Sequence, residues 1–369
     1  MGQRRRAPGP PAAAGQRLCR AGRRAEGRLA LIAWLRAAWL AVLAVAACAA
    51  VPAAQATQPE PVKAIRFGVL PLGGAVESRA LWTPLLADLG RAIGVPVSAY
   101  SVSSYEELDR AIGRDEIDMA FLSAKMALDA VTQGRMKVIA QIARRPGMPE
   151  HRAVLLMRKA PPFNSLEALL ARPESWRLAR GDSRSVTGFQ VPQSELFLPH
   201  HIAMETRFRS EIVDTHQATA LAVANGDADV ATNNSTDFER FREQFPVEAE
   251  RLQVVWESQP PPGAPMVVRR GWPPEFQARL QSFLTNYGQG KGPRADAERE
   301  VLKTLRAGFG YAAADDSALL PQARLDRQLG RQRAMAAQWV NDAAREQRLQ
   351  RIEKVYADQV RMLGGTPAR

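Results

Sequence analysis

Cysteine is nearly missing from this chain of 369 residues: there are two, Cys19 and Cys48, and none follows position 48. That excludes a cysteine nucleophile, a disulfide framework and a thiolate metal site from everything downstream. Histidine is scarce too, with four in all. His200 and His201 are adjacent, so on a helix they would not face one metal, and no third ligand stands at metal-site spacing. No Gly-x-Ser-x-Gly elbow, Walker loop or His-Glu-x-x-His helix occurs, so the enzyme reading has no support and no cofactor or metal is implied. Aromatics make up 7% and form no RNA-binding motif. No apolar run is long enough for a comfortable membrane span.

Charge is present but unevenly placed. The net +12 is concentrated in residues 1–56, where nine Arg face one acid, Glu26, leaving +4 for the rest. Nucleic acid is therefore rejected as a partner. The Arg-rich segment runs into the apolar stretch Ala37–Val51 and ends at Ala54-Gln-Ala56, the pattern of a signal peptide cleaved near Ala56. Export to the periplasm is expected. Val45-Ala-Ala-Cys48 also fits a lipoprotein cleavage box, which would put a lipid on Cys48.

From Ile65 onward, short apolar runs alternate with amphipathic stretches. Strands are expected at 65–70, 97–102, 117–122, 137–142 and 151–158, with helices at 81–93, 105–112 and 125–133 between them. A Pro-rich break at Ala160-Pro-Pro162 opens a second β/α series: strands at 177–179, 212–215, 229–231 and 252–257, helices at 166–170, 186–198, 218–224 and 236–245. A second break, Pro260-Pro-Pro262, precedes a strand at 266–269. This alternation predicts an α/β fold with mostly parallel sheets in two lobes joined by two strands. Residues 57–160 and 261–329 would form one lobe and 161–260 the other. Residues 330–369 would form a charged, helical C-terminal extension, packed along a lobe or helping a dimer.

The most informative stretch is Gly181-Asp-Ser-Arg-Ser-Val-Thr-Gly-Phe-Gln-Val-Pro192. A Ser/Thr/Gly-rich turn between a strand and a helix exposes free N–H groups at the positive end of the helix dipole, a seat for a small oxyanion. Ser185 and Thr187 add hydroxyl donors, and Gly188 lets the backbone come close to a ligand. On this turn alone, a cap without a ligand would be the simpler account.

Two further stretches accompany it, His216-Gln-Ala-Thr-Ala-Leu-Ala-Val-Ala-Asn-Gly-Asp-Ala-Asp-Val-Ala-Thr-Asn-Asn-Ser235 and Trp256-Glu-Ser-Gln-Pro-Pro-Pro-Gly-Ala-Pro-Met-Val-Val-Arg269. With Asn286-Tyr-Gly288 and Ala313-Ala-Asp-Asp-Ser317, they make the chain, from about Ile65 to about Leu329, resemble the periplasmic phosphonate-binding (PhnD-type) component of ABC importers. The resemblance implies a type 2 periplasmic-binding-protein clamshell that captures a small phosphorus oxyanion (phosphonate, phosphite or phosphate) and delivers it to an inner-membrane permease. It places Tyr105, Ser185, Val186, Thr187 and His216 in the pocket, with Ser123 even between cap and donor. It also exposes departures. Val186 stands where the family shows a hydroxyl, and His151 where a pocket Tyr is expected. Thr236 and Ala264 stand where acids hold the ammonium of aminoethylphosphonate. Asp237 is expected to point elsewhere. A buried cation without a counter-charge is expensive, so the ligand is expected to have an uncharged side chain. A monomer or weak homodimer is expected, and a periplasmic sensor on the same fold is the rival function.

Overall fold

Residues 62–71, 73–144, 150–159 and 165–365 are described by a computed structural model. The expected leader, Cys19, Cys48 and the Ala160-Pro-Pro162 break lie outside the described residues.

The alternating pattern folds as the apolar runs require. Strands β1 (Ile65–Val69), β2 (Val97–Ser101), β3 (Met119–Phe121) and β4 (Met136–Ile142) are linked by helices α1 (Ala75–Ile93), α2 (Tyr105–Gly113) and α3 (Ala124–Thr132). The second series holds β5 (Ala153–Arg158), β6 (Arg177–Arg180), β7 (Ser210–Val213), β8 (Val230–Asn234) and β9 (Leu252–Glu257). Among them lie α4 (Leu166–Ala171), α5 (Met204–Arg207), α6 (His216–Asn225), α7 (Ser235–Gln244) and α8 (Pro246–Glu250). After β10 (Pro265–Arg269) follow α9 (Pro274–Asn286), α10 (Pro293–Thr304), β11 (Tyr311–Ala313), α11 (Leu320–Ala336) and the charged α12 (Asp342–Met362).

Two sheets result, ordered β11-β4-β10-β3-β1-β2 and β7-β6-β8-β5-β9. They share one plan. In each, a central strand has a parallel neighbour on either side, and a strand arriving from the other series runs antiparallel, β10 between β3 and β4 and β5 between β8 and β9; the first sheet adds β11, antiparallel to β4 at its edge. The sheets are therefore mixed, not mostly parallel as the β/α alternation implies. The alternation reports the crossovers within a lobe, but not the direction of a strand that returns from the other lobe. Strand 153–158 likewise belongs to the second sheet, so the chain changes lobe between β4 and β5 and not at the Pro-rich break after it.

An Arg–Asp fork is repeated in both lobes. Asp118, just before β3, accepts from the backbone N (2.8 Å), Nε (2.8 Å) and Nη2 (3.0 Å) of Arg66 on β1. Asp229, just before β8, accepts from the same three atoms of Arg177 on β6, at 2.8, 3.1 and 2.7 Å. Each fork ties the start of the central strand to its parallel neighbour. Apolar layers cover both faces of each sheet, and Phe67, Leu89, Leu155 and Phe197 are fully buried. At about 1.5–3 kcal/mol for each such side chain, these layers supply most of the stability, and the forks supply register.

Burial pushes the Asp118 and Asp229 carboxyls up. The guanidinium of Arg66 or Arg177 outweighs it, and both are held below the ordinary carboxylate range. A depressed carboxyl contributes stability above its unfolded pKa of about 3.9, and loses it as pH falls through the folded value. Asp118→Asn and Asp229→Asn should each lower unfolding free energy at pH 7 by about 1.5–3 kcal/mol in urea titrations. Each variant should lose less stability than the wild type when the pH falls below about 4.

Candidate functional site

β6 ends at Arg180, and from Gly181 the chain turns back through Ser185, whose Oγ accepts from the Gly188 N–H at 3.0 Å. The helix it caps is wound wide: the N–H groups of Gln190 and Val191 reach the carbonyls of Ser185 and Val186, five residues back. Such π-type turns are frequent at functional sites. Gly181 N–H bonds the Gly188 carbonyl at 3.1 Å, and the Thr232 hydroxyl on β8 donates to that carbonyl at 2.6 Å. A Cβ on Gly188 would lie 2.8 Å from Ser185 Oγ, 2.9 Å from Gly181 Cα and 3.1 Å from His216 Cε1. What Gly188 makes room for is thus the protein itself, not the ligand approach expected from sequence.

Around this turn the structure gathers the other expected residues. Thr187 Oγ1 lies 3.3 Å from His216 Nε2 and accepts from Asn234 Nδ2 at 3.4 Å; all three residues are buried. His216 opens α6, and its carbonyl is held by Asn233 Nδ2 at 2.7 Å. Its Nδ1 is buried without a hydrogen-bond partner. His151 Nδ1 lies 2.9 Å from Thr236 Oγ1, so the two departures from the family pattern are in contact with each other. From the first lobe, Tyr105 at the start of α2 is buried, with its phenol against the Ser185 hydroxyl. Val186 packs into the apolar cluster that contains Tyr105, Leu122 and Met126. Ser123 caps α3, accepting from Met126 N–H at 3.2 Å, and spends its own proton on the Arg184 carbonyl across the cleft at 2.9 Å. In this arrangement Ser123 is a cap and a bridge between lobes.

Asp237 is the residue the sequence argument misplaced. Instead of pointing away, its carboxylate accepts from Asn234 Nδ2 at 2.7 Å and pairs with Arg240 at 3.3 Å. It borders a cavity of about 30 Å³ between the lobes, lined also by Glu77, Ser78 and Gln217. Helical spacing from Thr236 gave the wrong direction because Asn234 caps α7 and draws Asp237 back. Asn233, Asn234 and Thr232 also went unassigned, although the Thr-Asn-Asn-Ser run, rich in capping residues at a strand end, carried the signal.

Burial is the largest influence on Tyr105, His151 and His216. It raises the Tyr105 phenol and lowers both imidazoles, while the Asp237 charge favours protonation of all three. For His151 burial, helped by Arg144 and His216, wins, and its pKa falls to about 4. Both rings are neutral at pH 7, and a phosphorus dianion entering the cleft would pull them toward protonation.

Two lobes of one plan, joined by two crossings and meeting over buried hydroxyls and neutral imidazoles, are the architecture of a periplasmic ligand-binding clamshell. Within that class the chain belongs to the phosphonate periplasmic substrate-binding proteins of ABC transporters, the family model of which matches residues 67–319. It is 31% identical over 248 residues to the phosphonates-binding periplasmic protein of Escherichia coli (strain K12), covering 67% of this chain and 73% of that one. Among solved structures, a binding component of a Pseudomonas aeruginosa phosphonate ABC transporter matches with a TM-score of 0.75 and 27% identity, over 82% of this chain and 99% of that one. A Prochlorococcus marinus protein in complex with methylphosphonate shares the fold at 18% identity, with a TM-score of 0.61 over 73% of this chain and 99% of that one. Among the described residues no helix is long and apolar enough to cross a membrane.

Imidazoles with depressed pKa values contribute stability that is complete above the unfolded value of about 6.5 and drains away as pH falls toward the folded one. Without ligand, melting temperature should therefore decline between about pH 6.5 and 4. His151→Gln should flatten that decline in differential scanning fluorimetry across the same range. Gly188→Ala should weaken anion binding at least about tenfold, because the turn must open to admit the methyl group.

Proposed function

We propose that this protein is an exported solute receptor that captures a phosphonate with an uncharged side chain, or a small phosphorus oxyanion such as phosphite or phosphate. The observation that carries the choice of ligand is the His151–Thr236 pair. It is neutral, and it stands where the family resemblance leads one to expect a Tyr and an acid. Ala264, half-buried before β10, adds no charge at the second acid position. The nearby carboxylate, Asp237, is already balanced by Arg240. Glu77, which also lines the interlobe cavity, accepts from Gln244. An ammonium beside the His151–Thr236 pair would meet neutral side chains where acids are expected, and burying it unpaired is unfavourable by several kcal/mol.

In this reading the anion sits on the Ser185–Gly188 turn. Ser185 and Thr187 give hydroxyls, Val186 only its backbone, His216 and His151 imidazole N–H groups, and Tyr105 closes the seat from the first lobe. Ser123 holds the lobes together there, and Thr236 orients His151. The loaded protein then docks on an ABC permease in the inner membrane. The Arg-rich leader directs export, with cleavage near Ala56, and the protein works as a monomer or weak homodimer without catalysis.

The test is calorimetric titration of ligand-stripped protein with methylphosphonate, ethylphosphonate, aminoethylphosphonate, phosphite, phosphate and sulfate. Methyl- or ethylphosphonate should bind at least about tenfold tighter than aminoethylphosphonate. The reverse order would show that Asp237 serves as counter-charge after all. Absence of binding by every phosphorus compound would leave the family fold recruited to another ligand or to sensing. Ser185→Ala and Thr187→Val should each cost about 1.5–3 kcal/mol of affinity, the range for a hydrogen bond to a charged group.

A further inference from the structure

Helix α11 touches both lobes, through apolar residues such as Ala323 and Leu325 and also through polar side chains. Gln322 is fully buried, and its Nε2 donates to Gln190 Oε1 at 2.7 Å and to Asp326 Oδ1 at 2.7 Å. Gln190, itself buried, ends the wide turn that begins at Val186, two residues beyond Gly188. One helical turn further along α11, Asp326 pairs with Lys125 Nζ at 2.8 Å, and Lys125 also pairs with Asp129 at 2.8 Å. Lys125 is the second residue of α3, the helix capped by Ser123. A continuous polar path thus runs from the turn of the second lobe, through α11, to the first-lobe helix beside it. Farther along α11, Gln332 accepts from the Ser194 hydroxyl at 3.0 Å and donates to its carbonyl at 3.0 Å, so the helix grips the same segment twice.

Gln322 is a poor choice for packing. Its Oε1 is buried with no partner, a penalty that a Leu or Met of similar volume would avoid. The amide is therefore explained by what its Nε2 orients. We propose that Gln322 is a positioning residue for ligand capture: by holding Gln190 and Asp326 together, it fixes the Ser185–Gln190 turn against α3. The donors of the second lobe then meet Tyr105 of the first at the right separation. This inference rests on the reading of that turn as the anion seat.

The experiment is a double-mutant cycle on Gln190→Leu and Gln322→Leu, read as the Kd of methylphosphonate by calorimetry beside the melting temperature of the ligand-free protein. Each single variant should bind about tenfold more weakly, and the double variant no more weakly than either, because one contact is lost in all three. Gln322→Asn keeps the amide but withdraws it by one methylene. It should weaken binding in the same direction, and it serves if a Leu variant fails to fold. Single variants that bind within twofold of the wild type, or a double variant whose loss is the product of the two, would overturn the inference and leave the seat assignment standing. Melting temperatures that fall while Kd holds would mark a structural role only, and would overturn it as well. Wild-type protein that binds no methylphosphonate, ethylphosphonate, phosphite or phosphate would overturn the seat and this inference together.

Discussion

The close approach of Gly181 and Gly188 is the constraint from which the rest of the site follows. A Cβ on Gly181 would stand 2.9 Å from Gly188 Cα, and one on Gly188 would meet Gly181 at the same distance. Only two glycines let the end of β6 and the start of the next helix lie this close. Their contact is fixed by a short loop of hydrogen bonds, Gly181 to Gly188 and Thr232 to both. Because the turn is folded back on itself, Ser185 must cap it, Thr187 must face His216, and the helix must start wide. In the proposed reading, backbone geometry fixes the donors of the seat before any ligand arrives, and the anion meets dipoles that need not reorganise.

Charge is handled with the same economy. Two of the carboxylates near the pocket are paired, Asp237 with Arg240 and Asp182 with Arg184. Burial keeps His151 and His216 uncharged against the pull of Asp237. In the proposed reading this is a cleft of neutral donors, in which the ligand supplies the net charge. Such a cleft favours anions over cations without a permanently unpaired guanidinium or ammonium, which would itself be costly to bury.

Much of this arrangement was legible in the chain. Strand 252–257 and the extent of the charged helix ending at Met362 follow from apolar periodicity and charge, and the β/α alternation gives two lobes. The candidates Tyr105, Ser185, Thr187 and His216 do converge, because each stands at a strand-to-helix junction, where sequence shows a cap and topology brings such ends together. What stayed hidden depends on contacts between distant segments. The antiparallel course of β5 and β10 comes from strands crossing between lobes, which local pattern does not record. Asp237 was misdirected by counting helical positions, when Asn234 decided its orientation. The buried contacts of Gln322, Asp326 and Gln332 on helix α11 stayed hidden as well, because a reading by apolar periodicity passes over polar side chains.

The shared plan of the two sheets also bears on how the lobes can move. Each lobe gives up one strand position to a segment arriving from the other, so both arriving strands, β5 and β10, lie inside a sheet, while the second crossing leaves from the edge strand β9. Both arriving strands carry a register shift, at Met266/Val267 in β10 and at Leu155/Leu156 in β5. A bulge concentrates twist and bending at one point of a strand. The Arg66–Asp118 and Arg177–Asp229 forks tie neighbouring strands together within each sheet. Contacts on opposite sides of the cleft, Gln244 with Glu77 and Arg184 with Asp109, draw on flexible, partly exposed side chains. Exposed pairs of this kind are worth at most about 1 kcal/mol each, so they break readily. In the proposed reading, an anion contacting both walls of the cleft adds to these contacts and favours the state in which the lobes stay together.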